Sequence, residues 1–274
     1  MKKAIAHQVP VFLKPFPWLM RWVHFAQRIT YQRHTLIRKT LRKELKGVCS
    51  VWDAGCGDGQ YSFFVLNQTK ASLVSSDINQ GWVTFLKNYW LNNGDNTRAQ
   101  AVCQGIEEAG YNGEFDAVIC VSVLPYVRDV GQSLEKMRQA LKTGGKLYLY
   151  CPVNFYTETK LYRRMFETYQ NSENAANFRR VFSSSELREL VLGSGFIIDQ
   201  EFFTYGKYGR YGHEIWSIIS MWLGSRNVFL QAWGFILMTP AAVVVKLLQW
   251  ADFQQTLNDG NGLLLVLKNA NSNE

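Results

Sequence analysis

The stretch VWDAGCGDGQYS, residues 51–62, places Asp53 just ahead of three alternating glycines, Gly55, Gly57 and Gly59. A second acid, Asp77, closes the run SLVSSD. A glycine cluster at the end of a buried strand marks a tight turn or a backbone pressed close to a ligand. A nicotinamide or flavin fingerprint needs G-x-G-x-x-G, and Gln60 stands where its third glycine would be. A phosphate loop would need Lys after its last glycine, and none follows. Three further groups have side chains that can move a proton: Tyr126 in VLPYV, Tyr31 and His213, with His24 and His34 as alternatives. No His, Cys and carboxylate set has metal-ligand spacing, so no metal is expected.

These groups act only if strand ends hold them together. Residues 50–53 read as a buried strand feeding the glycine turn, with a helix starting near Gly59. Strands follow at 72–77, near 99–103 and at 115–124, the last nearly all apolar, as a strand covered on both faces should be. Residues 130–141 read as a helix, and the TGG turn at 143–145 leads into the strand KLYLYCP, 146–152. This alternation predicts a parallel α/β sheet with right-handed crossovers, whose ligand lies beyond the carboxyl ends of its strands. A polar segment, 154–181, interrupts the pattern. It resumes with SSSELRELVLGSGF, a helix capped by Ser183 or Ser184, and a strand at 196–203. A second insertion, 205–258, precedes the last strand, GLLLVLK at 262–268. The division is an N-terminal arm, 1–47, and one domain, 48–274, containing both insertions.

D-x-G-x-G-x-G on a first strand, with an acid ending the second, resembles the class I S-adenosylmethionine (SAM)-dependent methyltransferases. Four features in order carry the resemblance: VWDAGCGDG, SSD at 75–77, FDAVICVSVLPYV at 115–127 and LKTGGKLYL at 141–149. It covers roughly residues 48–203 and the final strand. It implies a Rossmann-like, mostly parallel seven-stranded sheet, with an N-terminal helical arm and a hydrophobic helical insertion before the last strand. It also implies SAM as cofactor. Under the resemblance, Asp53 organises the turn near the methionine amino group. The backbone of Gly55, Cys56 and Gly57 lines the methionyl portion, and Gly59 lets the helix begin close by. Asp77 accepts both ribose hydroxyls and Ile78 packs on the adenine. Gly105 and Ile106 cap the adenine edge, where Glu107 is the nearest acid, and Val121 and Ser122 border the sulfonium. Tyr126 occupies the place where many relatives carry histidine in L-x-H-V, which removes a histidine mechanism there. Tyr31 would reach over the methionine tail.

The acceptor is read from the remainder. Residues 1–46 hold eleven Lys/Arg against one acid, Glu44, so all the excess basicity lies in the arm. Trp18, Trp22, Phe25 and Ile29 fall on one helical face, Ile37, Leu41 and Leu45 repeat it, and 18–46 reads as helical throughout. Basic and aromatic residues on such a helix (Phe12 and Phe16 precede them) match one lying in a membrane interface or one packed on the sheet. The segment after the fourth strand lacks the Asn/Asp-Pro-Pro-aromatic and Pro-Cys elements of nucleic-acid methylation, so no nucleic-acid partner is expected. In 205–258, Ile215, Ile218, Ile219 and Trp222 form a stripe, and 227–245 is nineteen residues without a charge. That is the length of a membrane span, but Gln231, Gly234, Thr239 and Pro240 interrupt it and the last strand must return to the sheet. A helical hairpin is expected instead. It would wall an acceptor pocket with Trp216, Trp222, Phe229, Trp233 and Phe235, touch the membrane, or pack a dimer. The reading is a SAM-dependent methyltransferase of a hydrophobic or lipid-like small molecule, with peripheral membrane contact. Pro10, Lys14, Pro15 and Pro17 break any signal-peptide core, and five cysteines with no CxxC pair fit a reducing compartment. The expected location is therefore the cytoplasm, on the inner face of the membrane. A soluble phenol or polyketide methyltransferase and a non-catalytic SAM-binding scaffold subunit are the alternatives, and the sequence sets no oligomeric state.

Overall fold

The structure, a computed structural model, describes Phe25 and residues 29–173, 180–223, 225 and 227–269. The expectations for Phe12, Phe16, Trp18, Trp22 and His24 lie outside the described residues. Strands β1 (Ser50–Ala54), β2 (Ser72–Asp77), β3 (Ala99–Cys103), β4 (Phe115–Val121), β5 (Leu141–Pro152), β6 (Phe196–Thr204) and β7 (Gly262–Asn269) form one sheet in the order β3-β2-β1-β4-β5-β7-β6. The first five run parallel. β7 runs antiparallel between β5 and β6, so β6 again points the same way as β5. The carboxyl ends of β1 to β6 therefore share one edge, with the switch point where β2 and β4 flank β1.

Both faces are covered, as the apolar strands require. Helices α1 (Gln32–Glu44), α2 (Gln60–Gln68) and α3 (Gln80–Asn93) bury Ile37, Leu41, Phe64, Leu86 and Trp90 against one face. Helix α4 (Val130–Ala140), followed after α5 (Lys160–Glu173) by α6 (Ser184–Gly193), buries Leu134, Met137, Leu187 and Val191 against the other. β7 shows why it had to be apolar throughout: Leu264 and Val266 join the first cluster, and Leu263, Leu265 and Leu267 the second. Ser183 caps α6 by accepting the Glu186 amide at 3.1 Å.

Three expectations change. The TGG turn is an irregularity inside β5, which pairs with β4 from Leu141 and shifts register before Lys146. The polar segment 154–181 contains α5. The helical run through 18–46 is broken at Tyr31, which is extended (φ −108°, ψ 115°) and starts α1 afresh. The stripe Ile37, Leu41 and Leu45 is buried as its spacing requires.

The second insertion is a helical hairpin of α7 (Lys207–Leu223) and α8 (Val228–Phe253). Gly212 faces Val245 and Leu248 while Gly234 faces Leu223, an antiparallel pairing that meets at two glycines. Pro240 lies inside α8 without ending it. The base of the hairpin is held by two buried carboxylates. Asp252 accepts from Gln32 Nε2 at 3.1 Å, from the Tyr208 amide at 3.2 Å, and from the amides of Gly206 and Gly209. It thus caps the N-terminus of α7 from the far end of α8 while gripping α1. Glu214 on α7 accepts the amides of Glu158 (2.6 Å) and Thr159 (2.9 Å), fixing the start of α5. Asp252→Ala strands those amides and Gln32, and should lower stability by about 2–3 kcal/mol, the scale for hydrogen bonds to a charged buried group. Urea denaturation of wild type and variant measures the difference.

Candidate functional site

The glycine turn is laced to the end of β2. The Gly55 and Cys56 amides both donate to the Ser76 carbonyl, at 2.8 and 2.9 Å. The Gly57 amide donates to Asp77 Oδ2 at 2.9 Å, and the Asn79 amide to Asp77 Oδ1 at 2.8 Å. Gly55 is required at its position: φ is +74°, and a Cβ would sit 2.4 Å from Val123 Cγ2. Gly57, at φ +51°, has nothing within 4 Å of where a Cβ would be, so open space lies over the turn. Asp77 keeps acceptor capacity, because each carboxylate oxygen takes one amide and offers further lone-pair directions.

Asp53 lies beneath the turn, 2% exposed, and accepts from Ser62 Oγ at 2.6 Å. Ser62 and Ser75 share a further hydrogen bond of 2.8 Å, so α2 is pinned to β1 and β2 through this chain. Burial pushes the Asp53 carboxyl up to about 7, assisted by the charges of Asp77 and Asp58 and opposed by the Ser62 hydrogen bond. Cys56 is also buried, and burial together with the same acids raises its thiol well above the ordinary range. Its side chain belongs to the core, so only its backbone is left for a ligand.

On the β2–β3 side, Ile78 is 78% exposed and lies 3.5 Å from where a Gly105 Cβ would be, forming a small apolar ledge. The Ile106 side chain is buried with Trp52 and Ala109, because an apolar residue just past a strand end is drawn into the core below. Glu107 borders the ledge: its Oε2 lies 3.6 Å from where a Gly105 Cβ would be, while Oε1 accepts the Arg128 and Asp129 amides at 2.8 and 3.2 Å, at the start of α4.

On the β4–β6 side, three non-glycine residues adopt positive φ, each directly past a strand or nearly so: Ser122 (60°) after β4, Asn154 (50°) after β5 and Tyr205 (56°) after β6. Such strain collects where a fold holds side chains for use. Ser122, beside Val121, has a buried Oγ without a hydrogen-bond partner. Tyr126 is 43% exposed on the turn that follows. Tyr31 and His213 are brought together, ring centroids 6.3 Å apart, and Tyr205 stands 5.2 Å from His213. His34 is buried and shares a 2.6 Å hydrogen bond with the Tyr61 hydroxyl. Tyr61, Tyr150, Tyr205 and Arg33 were not singled out in the sequence. The tyrosines lie in apolar-patterned elements, and Arg33 is one basic residue among many in the arm.

Of the hairpin aromatics expected to wall a pocket, Trp216 and Trp222 on α7 are half-buried, and the three on α8 face outward. Phe229, Trp233 and Phe235 are 79%, 56% and 66% exposed. α8 buries only the stripe Gly234, Ala241, Val245, Gln249 and Asp252, which turns the bulky side chains outward. A surface recess of about 570 Å³ between Asn112, Arg138 and Lys142 lies at the amino edge of the sheet, opposite the glycine turn.

Comparison with known proteins places these features. Residues 52–149 match the family described as "Methyltransferase domain". A tRNA U34 carboxymethyltransferase of Campylobacter concisus is 31% identical over 106 residues, 38% of this chain and 36% of that protein. A malonyl-[acyl-carrier protein] O-methyltransferase of Acetivibrio thermocellus is 24% identical over 135 residues, 46% of each chain. The chain thus spans less than half the length of the curated relatives it matches. Among solved structures, the O-methyltransferase of a trans-AT PKS multienzyme of Brevibacillus brevis, in complex with S-adenosyl-L-homocysteine, superposes with TM-score 0.61 at 14% identity, over 97% of this chain and 82% of that one. The [4+2]-cyclase SpnF superposes with TM-score 0.58 at 16% identity, over 85% and 79%.

Asp53 generates a test in its own right. Its folded-state value, about 7, lies above the ordinary 3.8, so the folded chain holds a proton that the unfolded chain releases. Its contribution to stability is therefore greatest at low pH and falls as pH rises from about 4 to 7. Between pH 5 and 8, wild type should lose roughly 2–3 kcal/mol relative to Asp53→Asn, which keeps the acceptor for Ser62 and has no charge to bury. Denaturant titrations of both proteins at the two pH values measure it, and parallel curves would contradict the assignment.

Proposed function

Because residues 52–149 are a methyltransferase domain within a class I, Rossmann-like fold, we propose that the chain transfers a methyl group from SAM to a hydrophobic or lipid-like acceptor at a membrane surface. When bound, SAM supplies an already activated methyl group, so the protein's work is positioning and exclusion of water. Asp77 accepts the ribose hydroxyls beside the amides it already holds, and Ile78 with Gly105 forms the apolar ledge for the adenine. The open space over Gly57 takes the methionyl portion. An ammonium group next to Asp53 draws its carboxyl to the ionised form. Val121 and Ser122 border the reacting centre, with the unpartnered Ser122 Oγ as a hydrogen-bonding group for a ligand. Tyr31 and His213 close the site from the hairpin side.

The observation that carries the acceptor class is the outer face of α8. The helix is long and apolar enough to cross a membrane by length and composition. Phe229, Trp233, Phe235, Ile236, Leu247 and Trp250 on it are all more than half exposed. Apolar surface of that extent marks a partner or a membrane. Both ends of the hairpin sit at one sheet edge, since Thr204 pairs with Gly262. A single crossing would part β7 from the sheet, which supports a helix lying along an interface at the cytoplasmic face. The curated relatives' names span tRNA and an acyl-carrier-bound malonyl group, and the α8 face favours the apolar end of that range.

Transfer of radiolabelled methyl from SAM into a total lipid extract, followed by chromatography, tests the reaction. Asp77→Ala should weaken S-adenosylhomocysteine by about 1.5–3 kcal/mol through the lost charged hydrogen bonds. Calorimetry showing no cofactor binding by folded wild type would end this reading. Separately, Phe229→Glu with Trp233→Glu should abolish co-sedimentation with liposomes and leave S-adenosylhomocysteine affinity within twofold of wild type. Unchanged co-sedimentation would remove the membrane surface from the proposal.

A further inference from the structure

The hairpin hides its acids and shows its cations. Residues 207–253 hold four Lys/Arg and two acids. Both acids, Glu214 and Asp252, are 1% exposed and are hydrogen-bonded inside, to the start of α5 and to α1 and α7. Arg210 pairs with Glu158 at 2.6 Å, and Arg226 lies outside the described residues. Lys207 and Lys246 are exposed, and neither has an ion pair among the described residues. The described surface of the hairpin is therefore apolar and cationic, with no exposed acid. More positive charge arrives at the same helix. Gln249 donates to the Thr30 carbonyl at 2.9 Å, so the chain enters the fold against α8. The sequence before Thr30 contains five Lys/Arg and no acid.

Lys246 has a defined place on α8. Thr239, Val243, Lys246 and Trp250 fall at i, i+4, i+7 and i+11, a single stripe of the helix, and all four are exposed. Helical spacing sets this stripe between the buried one, which ends on Gln249 and Asp252, and the outer row of Phe229, Trp233, Ile236 and Leu247. Lys246 Nζ donates to Gln249 Oε1 at 3.4 Å, and its apolar surroundings draw the ammonium below the ordinary lysine value. A helix lying with its outer row among acyl chains puts its flanks at the level of the head groups. There the Lys246 stem runs along apolar neighbours and its ammonium meets the charge of the surface. Trp250, 63% exposed, has an indole N–H suited to the same level. A second copy of the chain fits this face less well. It would bring another Lys246 to the contact, and the described hairpin has no exposed acid to receive it.

We propose that α8 docks on an anionic phospholipid bilayer, with Lys246 held at head-group level against its negative charge. The inference rests on the membrane-surface reading of α8 and adds to it the lipid class that the surface selects. The outer row supplies apolar attachment to any bilayer, and the cations supply the preference among bilayers. Each Lys or Arg held near an anionic surface strengthens binding about fivefold, an effect that fades over about 10 Å at 0.1 M salt.

The test is co-sedimentation of the full chain with two vesicles, pure phosphatidylcholine and phosphatidylcholine mixed with phosphatidylserine. Wild type should bind the anionic vesicles about tenfold or more tightly than the neutral ones at low salt. Raising the salt to about 1 M, where charge is screened within about 3 Å, should remove the preference. Lys246→Gln should bind anionic vesicles about fivefold more weakly than wild type and neutral vesicles within twofold of it, and Lys246→Arg should match wild type on both. Equal wild-type binding to the two vesicles, a preference that survives high salt, or Lys246→Gln equal to wild type on anionic vesicles overturns the proposal. A light-scattering mass of two chains, for protein that leaves both vesicles unbound, overturns it in favour of a second copy. Should Lys246→Gln fail a thermal-melt check, Lys246→Ala takes its place with the same criteria. Binding to neither vesicle defeats the membrane-surface reading as well, whereas equal binding to both defeats the lipid class alone. Wild type that binds no S-adenosylhomocysteine defeats the methyltransferase reading and leaves the vesicle result standing.

Discussion

Asp252 is the carboxylate on which the placement of the helical hairpin depends. It is 1% exposed, and a bare charge there would be untenable. It is tolerated because the first-turn amides of α7 and the Gln32 side chain converge on it. The same Gln32 accepts the Tyr205 amide at 2.7 Å through Oε1, and Gln249 donates to the Thr30 carbonyl at 2.9 Å. One buried charge thereby fixes α7, α8, the start of α1 and the end of β6 relative to each other. Tyr31, Arg33, His34, Tyr205 and His213 all lie within a few residues of those contacts.

The cofactor side rests on a different economy of hydrogen bonds. The amides of Gly55, Cys56 and Gly57 are spent on Ser76 and Asp77, and the Gly59 amide on the Cys56 carbonyl at 2.9 Å. The turn is rigid before any ligand arrives, and what it offers is space over Gly57 and the remaining lone pairs of Asp77. The resemblance had assigned the glycine backbone a lining role, and the geometry narrows that role to carbonyl groups and to shape. Asp53 supports the turn from below through Ser62 and Ser75, where its charge is sensitive to any cation placed above it.

The centre of the sheet was legible because β1, β4, β5 and β7 had to be buried on both faces, and the glycine turn because Gly55, Gly57 and Gly59 need positive φ that other residues resist. The helical hairpin was legible in outline from the stripe Ile215, Ile218, Ile219 and Trp222. Its orientation was not. Which face of α8 goes inward is decided by the small residues Gly234 and Ala241 and the polar residues Gln249 and Asp252, and a hydrophobic count gives these no weight. Tyr31 misled for a related reason. Its spacing continues a helix, but its backbone is extended so that the ring meets His34 and His213, a tertiary demand that local periodicity does not contain. Ile106 and Glu107 were placed by family position. The core takes the Ile106 side chain, and Glu107 divides its carboxylate between the amides at the start of α4 and the edge of the ledge.

The hairpin keeps a polar base and an apolar outer surface within a single insertion. Thr204 and Gly262 are register partners, so the chain leaves the sheet and rejoins it at one point. Everything between them can change without disturbing the order of the strands that hold Asp53 and Asp77. At its base the hairpin carries Asp252, Glu214 and His213, which face α1, α5 and Tyr205 and are fixed by hydrogen bonds or ring contacts. Away from the base α8 needs only small residues inward, because Gly212 and Gly234 let the two helices close on each other. The large side chains are then free to face outward, where surrounding water would disfavour them unless an apolar phase covers the face.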